Sequence, residues 1–488
     1  MIFRINQQKQ ISSYKHGGYL IVLLLVFGAI FFMVVTAFMG FVISGKNVSD
    51  VKLKGEQSLQ IAEAGLNYYK WFLSHYPEDI QNGTNVSGPY VIPYFDPEGD
   101  MIGEYALEID GNLSCGVITS VDIESTGYTD SNPDIKRTVY ARYTRPNVAE
   151  YSHIVNANVW VGPDREIYGP YHSNGFVRMD GNSNSIVTSG SGTNYCVNVD
   201  VCHALYPQGY NYWTIINGVF GAGPNHDLWS YAVPPVDFAG VTVDLSDMSN
   251  KAKNGGQWYD SSGEAGYYIV FNSNGTYTLR KITKKKAIGN AWGHHKNFLN
   301  SAKLVGTYTI PSGCSVLFFE DDIWVEGTIK GKVTVAAARP GSTNVNPTVT
   351  IIGNLNYADN DSGLLLIGEQ DVFIGLDVPN NMTINGIFVA QKGKFSRPHF
   401  TTGRCDSTSP CFSIQNSQSS LIKRDSLTTN GTVVSNGRVG TKWTSGGTWV
   451  SGFNNRYDYY DRNLSINPPP LTPKISDNYK FIEWREME

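Results

Sequence analysis

From Tyr19 to Ile43 the chain reads YLIVLLLVFGAIFFMVVTAFMGFVI, 25 residues without one charge. At about 1.5 Å per residue such a helix reaches about 37 Å, enough to cross a hydrocarbon layer of about 30 Å with some tilt. A cleavable secretory signal has an apolar stretch of only about 7–15 residues followed by a small-residue cleavage site, a pattern this run does not match. The expected fold therefore hangs from a retained membrane span. Residues 1–18 are polar and basic, with Arg4, Lys9 and Lys15, but Lys46, Lys52 and Lys54 follow the span, so the count of positive charges barely separates the two sides. The Asn/Thr/Gly-rich remainder places the N-terminus inside and the bulk outside the cytoplasm.

The helix is expected to continue past the membrane. Val48, Val51, Gly55, Leu59, Ala62, Leu66, Tyr69 and Leu73 recur at steps of three and four, one apolar stripe at helical period, and Pro77 ends it. Tyr19 to His75 then makes a rod of 57 residues, about 85 Å long. The segment SLQIAEAGLNYYKWFL (Ser58–Leu73) resembles the N-terminal region of PilX-type minor pilins of type IV pilus systems. The resemblance implies that Ala62, Glu63, Ala64 and Gly65 form a helix-packing site, its small residues admitting a sheet or another helix. It also implies prepilin cleavage between Gly18 and Tyr19, and other pilin-like subunits as partners through the helix. Leu23 stands at the fifth position after Gly18, where a major pilin carries Glu; this argues for a low-copy subunit.

Behind the rod, residues 77–100 carry Pro77, Pro89, Pro93 and Pro97 and read as a loop. Alternating strands follow at Gly103–Asp110, Val117–Tyr128 and Ile135–Arg145, parted by turn residues. A three-stranded antiparallel meander needs a partner for its apolar face, and the helix stripe supplies one. Tyr105, Leu107 and Ile109 are expected on one face of the first strand, and Val117, Thr119, Val121 and Ile123 on one face of the second.

The fold class expected overall is mainly β with one long N-terminal helix. From Asn147 to about Ser465 no long helix is expected. Strands such as VLFF, DIWVEGTIKGKVTVAAA, GLLLIG and MTINGIFVAQKGKF are short and punctuated by Gly, Asn and Asp. They suggest a parallel, right-handed β-helix; a β-sandwich is the alternative, because no coil period is visible. IYGPYHSNGFVRMDGN (Ile167–Asn182) and the tail YDYYDRNLSINPPPLTP (Tyr457–Pro473) resemble segments of β-helix regions joined to PilX-like N-termini. The expected organisation is a leader at 1–18, a span at 19–44, a helix extension at 45–76, a pilin-like meander at 77–146, a β-helix at 147–465 and a Pro-rich segment at 466–488. Pro468, Pro469 and Pro470 cannot donate ladder hydrogen bonds, so that run should lie extended on the outside.

Little in the chain points to chemistry. No HExxH, G-x-S-x-G, Walker A or CxxC pattern occurs, so neither a catalytic residue nor a cofactor is expected. His172 in PYHSNG reads as a structural donor, and Glu320-Asp321-Asp322 as a solvated strand edge as readily as a carboxylate cluster. The loops beginning at Asp180 and Asp359 faintly resemble calcium loops but lack a twelfth-position Glu, and no metal is expected. Arg280, Lys281, Lys284, Lys285 and Lys286 form a basic run that could bind a polyanion such as DNA or an acidic glycan, but read more readily as edge-guarding charges. With 38 basic against 43 acidic residues the net charge is −5, and nucleic acid is not expected as a partner. Trp443, Trp449, Tyr457, Tyr459 and Tyr460 suit either sugar stacking or sealing one end of the β-domain. Cys196/Cys202 and Cys405/Cys411 share one spacing and are expected as two disulfides in an oxidising space, while Cys115 and Cys314 read as buried thiols. The function these features suggest is a non-enzymatic, minor pilin-like subunit. It would display a large β-domain at a pilus tip or cell surface, for adhesion to a surface glycan or a host cell. A surface adhesin outside any filament and a tethered polysaccharide-active enzyme are the alternatives.

Overall fold

The computed structural model describes residues 17–195, 215–238, 244–283, 301–342, 346–405 and 411–487. The rod is one uninterrupted helix, α1 (Gly17–His75). Its C-terminal third packs on an antiparallel sheet of β1 (Tyr90–Phe95), β2 (Met101–Ser114), β3 (Val117–Thr129), β4 (Asn132–Thr144) and the final strand Lys480–Met487, in that order. The expected meander is therefore five-stranded. Part of the Pro-containing stretch read as a loop forms β1, with Pro93 on an edge strand where a missing donor costs nothing. The Pro-rich segment likewise ends in a strand that pairs with β4.

The alternation in β2 is as expected: Tyr105 and Leu107 are buried in the head core. In β3 it is only half right. A bulge opposite Asn112/Leu113 inserts one residue, so Val121 and Ile123 face the helix while Val117 and Thr119 turn away.

The chain leaves the sheet after β4 and returns only for its last strand, so everything between is an insertion into the head. That insertion is a stack of coils whose strands pair in parallel along three ladders. The first ladder runs from Trp229–Tyr231 through Val187–Ser189, Tyr171–Ser173 and His153–Val155 to Lys423–Ser435. It continues through Asn381–Ala390, Gly363–Gly368, Lys332–Ala337 and Val316–Phe319 to Gln257–Tyr259. These ten strands span about 43 Å at about 4.8 Å per gap.

Two features follow from that order. The coils are not stacked in chain order: the first coil, 153–168, sits against the last, 432–459, in the middle of the stack. From there the strands His153–Val155 to Trp229–Tyr231 lie toward one end, while the strand Gln257–Tyr259 lies at the other end and the later strands run from it back to the middle. The coils also differ greatly in length. From Val316 to its partner Thr334 is 18 residues, from Thr334 to Leu365 is 31, and from Ile387 to Thr432 is 45, which is why no period shows in the sequence.

One core draws on residues between Trp229–Tyr231 and Gln257–Tyr259 in the sequence. Val236, Phe238 and Leu245, Met248 and Ala252 of an unexpected helix, Leu245–Gly255, pack with Leu464 and Leu471 over the outside of the first ladder. Strand Gly363–Gly368 is thereby buried on both faces, which is what an unbroken GLLLIG run requires. The interior core is separate and includes Val325, Leu355, Leu366, Phe388, Val433 and Phe453. At the far end the antiparallel hairpin Thr276–Ile282/Ala302–Thr309 lays Tyr277 and Leu279 over that core and covers its edge.

Among the described residues, head and stack are tied where the chain leaves and returns, and by a disulfide. Outgoing and returning chain pair at Asn147 and Lys474, with Val148 N–H donating to Pro473 O at 3.0 Å and Ile475 N–H to Pro146 O at 2.9 Å. Separately, Cys115 in the β2–β3 turn is bonded to Cys314, 199 residues on. The two cysteines read as unpaired thiols are thus partners. The pairing was hidden because their proximity (Cα–Cα 4.5 Å) exists only once the stack is folded back on the head. Cys405 and Cys411 are bonded as expected; Cys196 and Cys202 lie outside the described residues.

Candidate functional site

The stripe on α1 has two fates. Gly55, Ala62, Leu66, Tyr69 and Leu73 are buried against the sheet. Val48 and Val51, on the same stripe, remain 54% and 55% exposed, and so does every apolar side chain from Tyr19 to Ile43 apart from the small or partly shielded ones. One helix is long and apolar enough to cross a membrane. The Gly18–Tyr19 bond lies in its first turn, with the Tyr19 side chain exposed.

The seat on the sheet is built by absent side chains. A Cβ on Gly65 would fall 2.3 Å from Ser125 Oγ and 2.8 Å from the Tyr105 ring; one on Gly127 in β3 would fall 2.3 Å from Ser58 O and 2.4 Å from Ala62 N. Helix and sheet meet backbone to backbone there. Ser58 Oγ, 2.7 Å from Ile135 O, and Tyr143 OH, donating to Leu66 O at 2.8 Å, pin the contact at both sides. Burial pushes the Tyr143 and Tyr69 phenols well above their ordinary pKa, so both stay neutral donors. Of the four residues assigned to helix packing, Ala62 and Gly65 form this contact; Glu63 and Ala64 lie half-buried on its flank.

The remaining candidates are occupied structurally. His172 is buried with Nδ1 2.8 Å from Thr188 Oγ1 and Nε2 2.9 Å from Asn174 Oδ1. Asp321 accepts from Ser262 N–H and Oγ–H, Asp322 from Thr348 N–H, and Glu320 from Trp258 Nε1–H, so the acidic triplet closes corners. Asp180 accepts from Trp160 Nε1–H, and Asp359 from Ser362 Oγ–H. Among the described residues no group of three His, Cys, Asp or Glu could hold a metal ion. Arg280 lies over the Tyr268 ring and Lys281 Nζ donates to Ser262 O; Lys284, Lys285 and Lys286 are outside the described residues. Tyr459 stacks on Tyr168 at 4.8 Å.

What sequence reasoning missed is the seam where first and last coils meet. Inside it, Arg165 Nε donates to Asp458 at 2.6 Å and Arg165 Nη2 to His153 Nε2 at 2.8 Å, all three buried. Burial drives the His153 pKa down to about 3, with Asp458 opposing and Arg165 adding to the shift. Burial works against the Asp458 charge too, but Arg165, then His153, hold its carboxyl below the usual range. On the outside, Asp164 meets Lys442 at 2.8 Å and Arg456 at 3.0 Å. Every one of these pairs except Arg165–His153 joins residues nearly 300 positions apart, so no local signal could have revealed them.

No family model matches the sequence, and no curated protein matches it. Among solved structures it is similar to the competence-associated pilin ComZ from Thermus thermophilus, at 14% identity over 89% of this chain and 97% of that one, with a TM-score of 0.28. A TM-score that low does not establish a shared fold, and the functional reading rests on the chain's own residues.

Proposed function

We propose that this chain is a membrane-anchored, pilin-type subunit of low copy number that displays its inserted stack, read as a parallel β-helix, at a filament tip or cell surface. It acts as a structural, non-enzymatic protein whose stack contacts surface glycans. The observation that carries this reading is the split stripe. Of the 59 residues of α1, those from Gly55 on are seated on the head. The 38 before them would reach about 57 Å, when about 30 Å suffices for a bilayer. Val48, Val51 and Leu53 are apolar, exposed and next to the head. A simple anchor has no use for them, whereas a bundle of like helices would cover them. Gly28, Gly40 and Gly45 have nothing within 4 Å of a would-be Cβ, leaving room for neighbouring helices to approach closely.

The test is mass spectrometry of the N-terminus in sheared surface filaments and in membranes of the native host. The expected result is a chain beginning at Tyr19 and present in the filament fraction. A chain that keeps residues 1–18 and never leaves the membrane fraction overturns the proposal in favour of an anchored adhesin.

A further inference from the structure

The seam carries an open cleft of about 530 Å³. It exists because one ladder is broken there. On the second ladder, pairing runs from Tyr267–Asn272 through Ile323–Ile329, Val349–Tyr357 and Val372–Ile374 to Phe395–Ser396 and ends at a bridge to Gly440. The matching strand of the first coil, Val159–Val161, pairs only onward, to Val177–Met179. Among the described residues no pairing joins Gly440 to Val159–Val161, and the cleft fills the gap.

Its walls come from both halves of the stack. The first coil supplies Trp160, Asp164 and Arg165; the later coils supply Lys394, Arg438, Lys442, Trp443 and Arg456. Five cations thus face three carboxylates: Asp164, the buried Asp458 that takes Arg165, and Asp371, which accepts the Lys394 main-chain N–H at 2.7 Å and feels its ammonium charge. Lys394 and Arg438 are exposed and have no hydrogen-bond or ion-pair partner for their side-chain nitrogens among the described residues. Arg456 Nε is buried and unpaired, and its guanidinium, desolvated and beside Arg165, is held below its ordinary pKa. In a chain of net charge −5 this leaves a local positive excess. The two indoles add held ring surface: Trp160 Nε1–H is bound to Asp180 and Trp443 Nε1–H to Arg397 O.

We propose that this cleft binds an acidic saccharide, one or two sugar units bearing a carboxylate. The Arg438 guanidinium and the Lys394 ammonium take the carboxylate, and the indoles take the C–H face of a ring. The volume falls within the range for small-ligand sites, about 300–1,000 Å³. All five cations line this one cleft of about 530 Å³, which suits a ligand with one or two charges better than a nucleic-acid backbone. The proposal rests on the stack being the ligand-contacting part, and not on entry of the helix into a filament. A solution titration therefore tests it separately from the N-terminal mass spectrum.

The experiment is calorimetric titration of the full chain in detergent with digalacturonic acid, neutral galactobiose, inorganic phosphate and a single-stranded oligonucleotide. Saturable binding of digalacturonic acid is expected, weakening as salt is raised. Galactobiose and the double variant Lys394→Gln/Arg438→Gln should each bind at least about tenfold more weakly, one ion pair's worth of affinity. Arg438→Lys, which keeps the charge and loses the fork, should lie between and guards against misfolding of the double variant. The proposal is overturned by no saturation up to about 10 mM, well beyond weak specific binding. It is equally overturned if galactobiose binds as well as the acid, if both variants bind unchanged, or if phosphate or the oligonucleotide binds more tightly.

Discussion

Replacing Gly127 by Ala should damage the head more than the same change at Gly65 or Gly55 of the helix. The new Cβ would lie 2.3 Å from Ser58 O and 2.4 Å from Ala62 N. Both are main-chain atoms of α1, so no side-chain rotation relieves the clash; the helix must lift off β3. Overpacking costs about 1–3 kcal/mol, and a rigid backbone obstacle puts this case near the top, about 3 kcal/mol. At about 4–8 °C per kcal/mol for a domain of this size, the head should melt at least about 12 °C lower. Two companions grade the argument. Gly65→Ala meets the Ser125 hydroxyl, which can turn away, and the Tyr105 ring at 2.8 Å; its cost is offset in part by about 1 kcal/mol of helix propensity. Gly55→Ala meets only Arg137 Nη1 at 3.5 Å, an ordinary contact, and should raise stability. Calorimetry of the full chain in detergent, with hydrogen exchange over residues 58–73 to assign the transition, gives the order Gly55→Ala, wild type, Gly65→Ala, Gly127→Ala. If Gly127→Ala melts within about 2 °C of wild type, a shift worth under about 0.5 kcal/mol, the backbone-contact reasoning is wrong.

The seam should be acid-sensitive: His153 is held near pKa 3 when folded and returns to about 6.5 when unfolded, so the unfolded chain takes up the proton first and stability falls as pH drops below about 6.5. His153→Gln should flatten the stability–pH slope by up to about 1.4 kcal/mol per unit between pH 6 and 4, leaving the smaller contributions of His172 and His399, which burial shifts the same way; a denaturation series with unchanged slope refutes it. Non-reducing peptide mapping should recover Cys115 linked to Cys314 and Cys405 to Cys411, and will also read Cys196 and Cys202, for which sequence spacing expects a third bond. Closing a loop of 199 residues is worth about 5 kcal/mol in the chain-entropy account, so Cys115→Ser/Cys314→Ser should loosen the head first; free thiols at 115 and 314 in exported protein would sink this. Ala62→Leu/Gly65→Leu should insert into membranes normally yet lose surface display in filaments, and wild-type recovery in sheared filaments would count against the assembly role of the helix.

The rod was legible without any structure. A span of 25 uncharged residues and a stripe at helical steps are local patterns, and both act through periodicities of the backbone itself. The same holds for β2–β4, whose alternation sets which face is apolar. The Cys405–Cys411 bond was legible because six residues separate the two. The β3 register failed at one residue because a bulge is decided by the partner strand, not by the strand that carries the extra residue.

The order of the coils, the return of Lys480–Met487 to the first sheet and the Cys115–Cys314 bond were decided only in three dimensions. Parallel strands are joined by connections of any length, here 18 to 45 residues between neighbours in one part of the stack, so spacing carries no register. The seam shows the limit best. Arg165 and Asp458, or Asp164 and Arg456, are unremarkable charges in the sequence. They are partners, and leave a cation-rich cleft beside them, because the last coil of the insertion lies against its first in the middle of the stack.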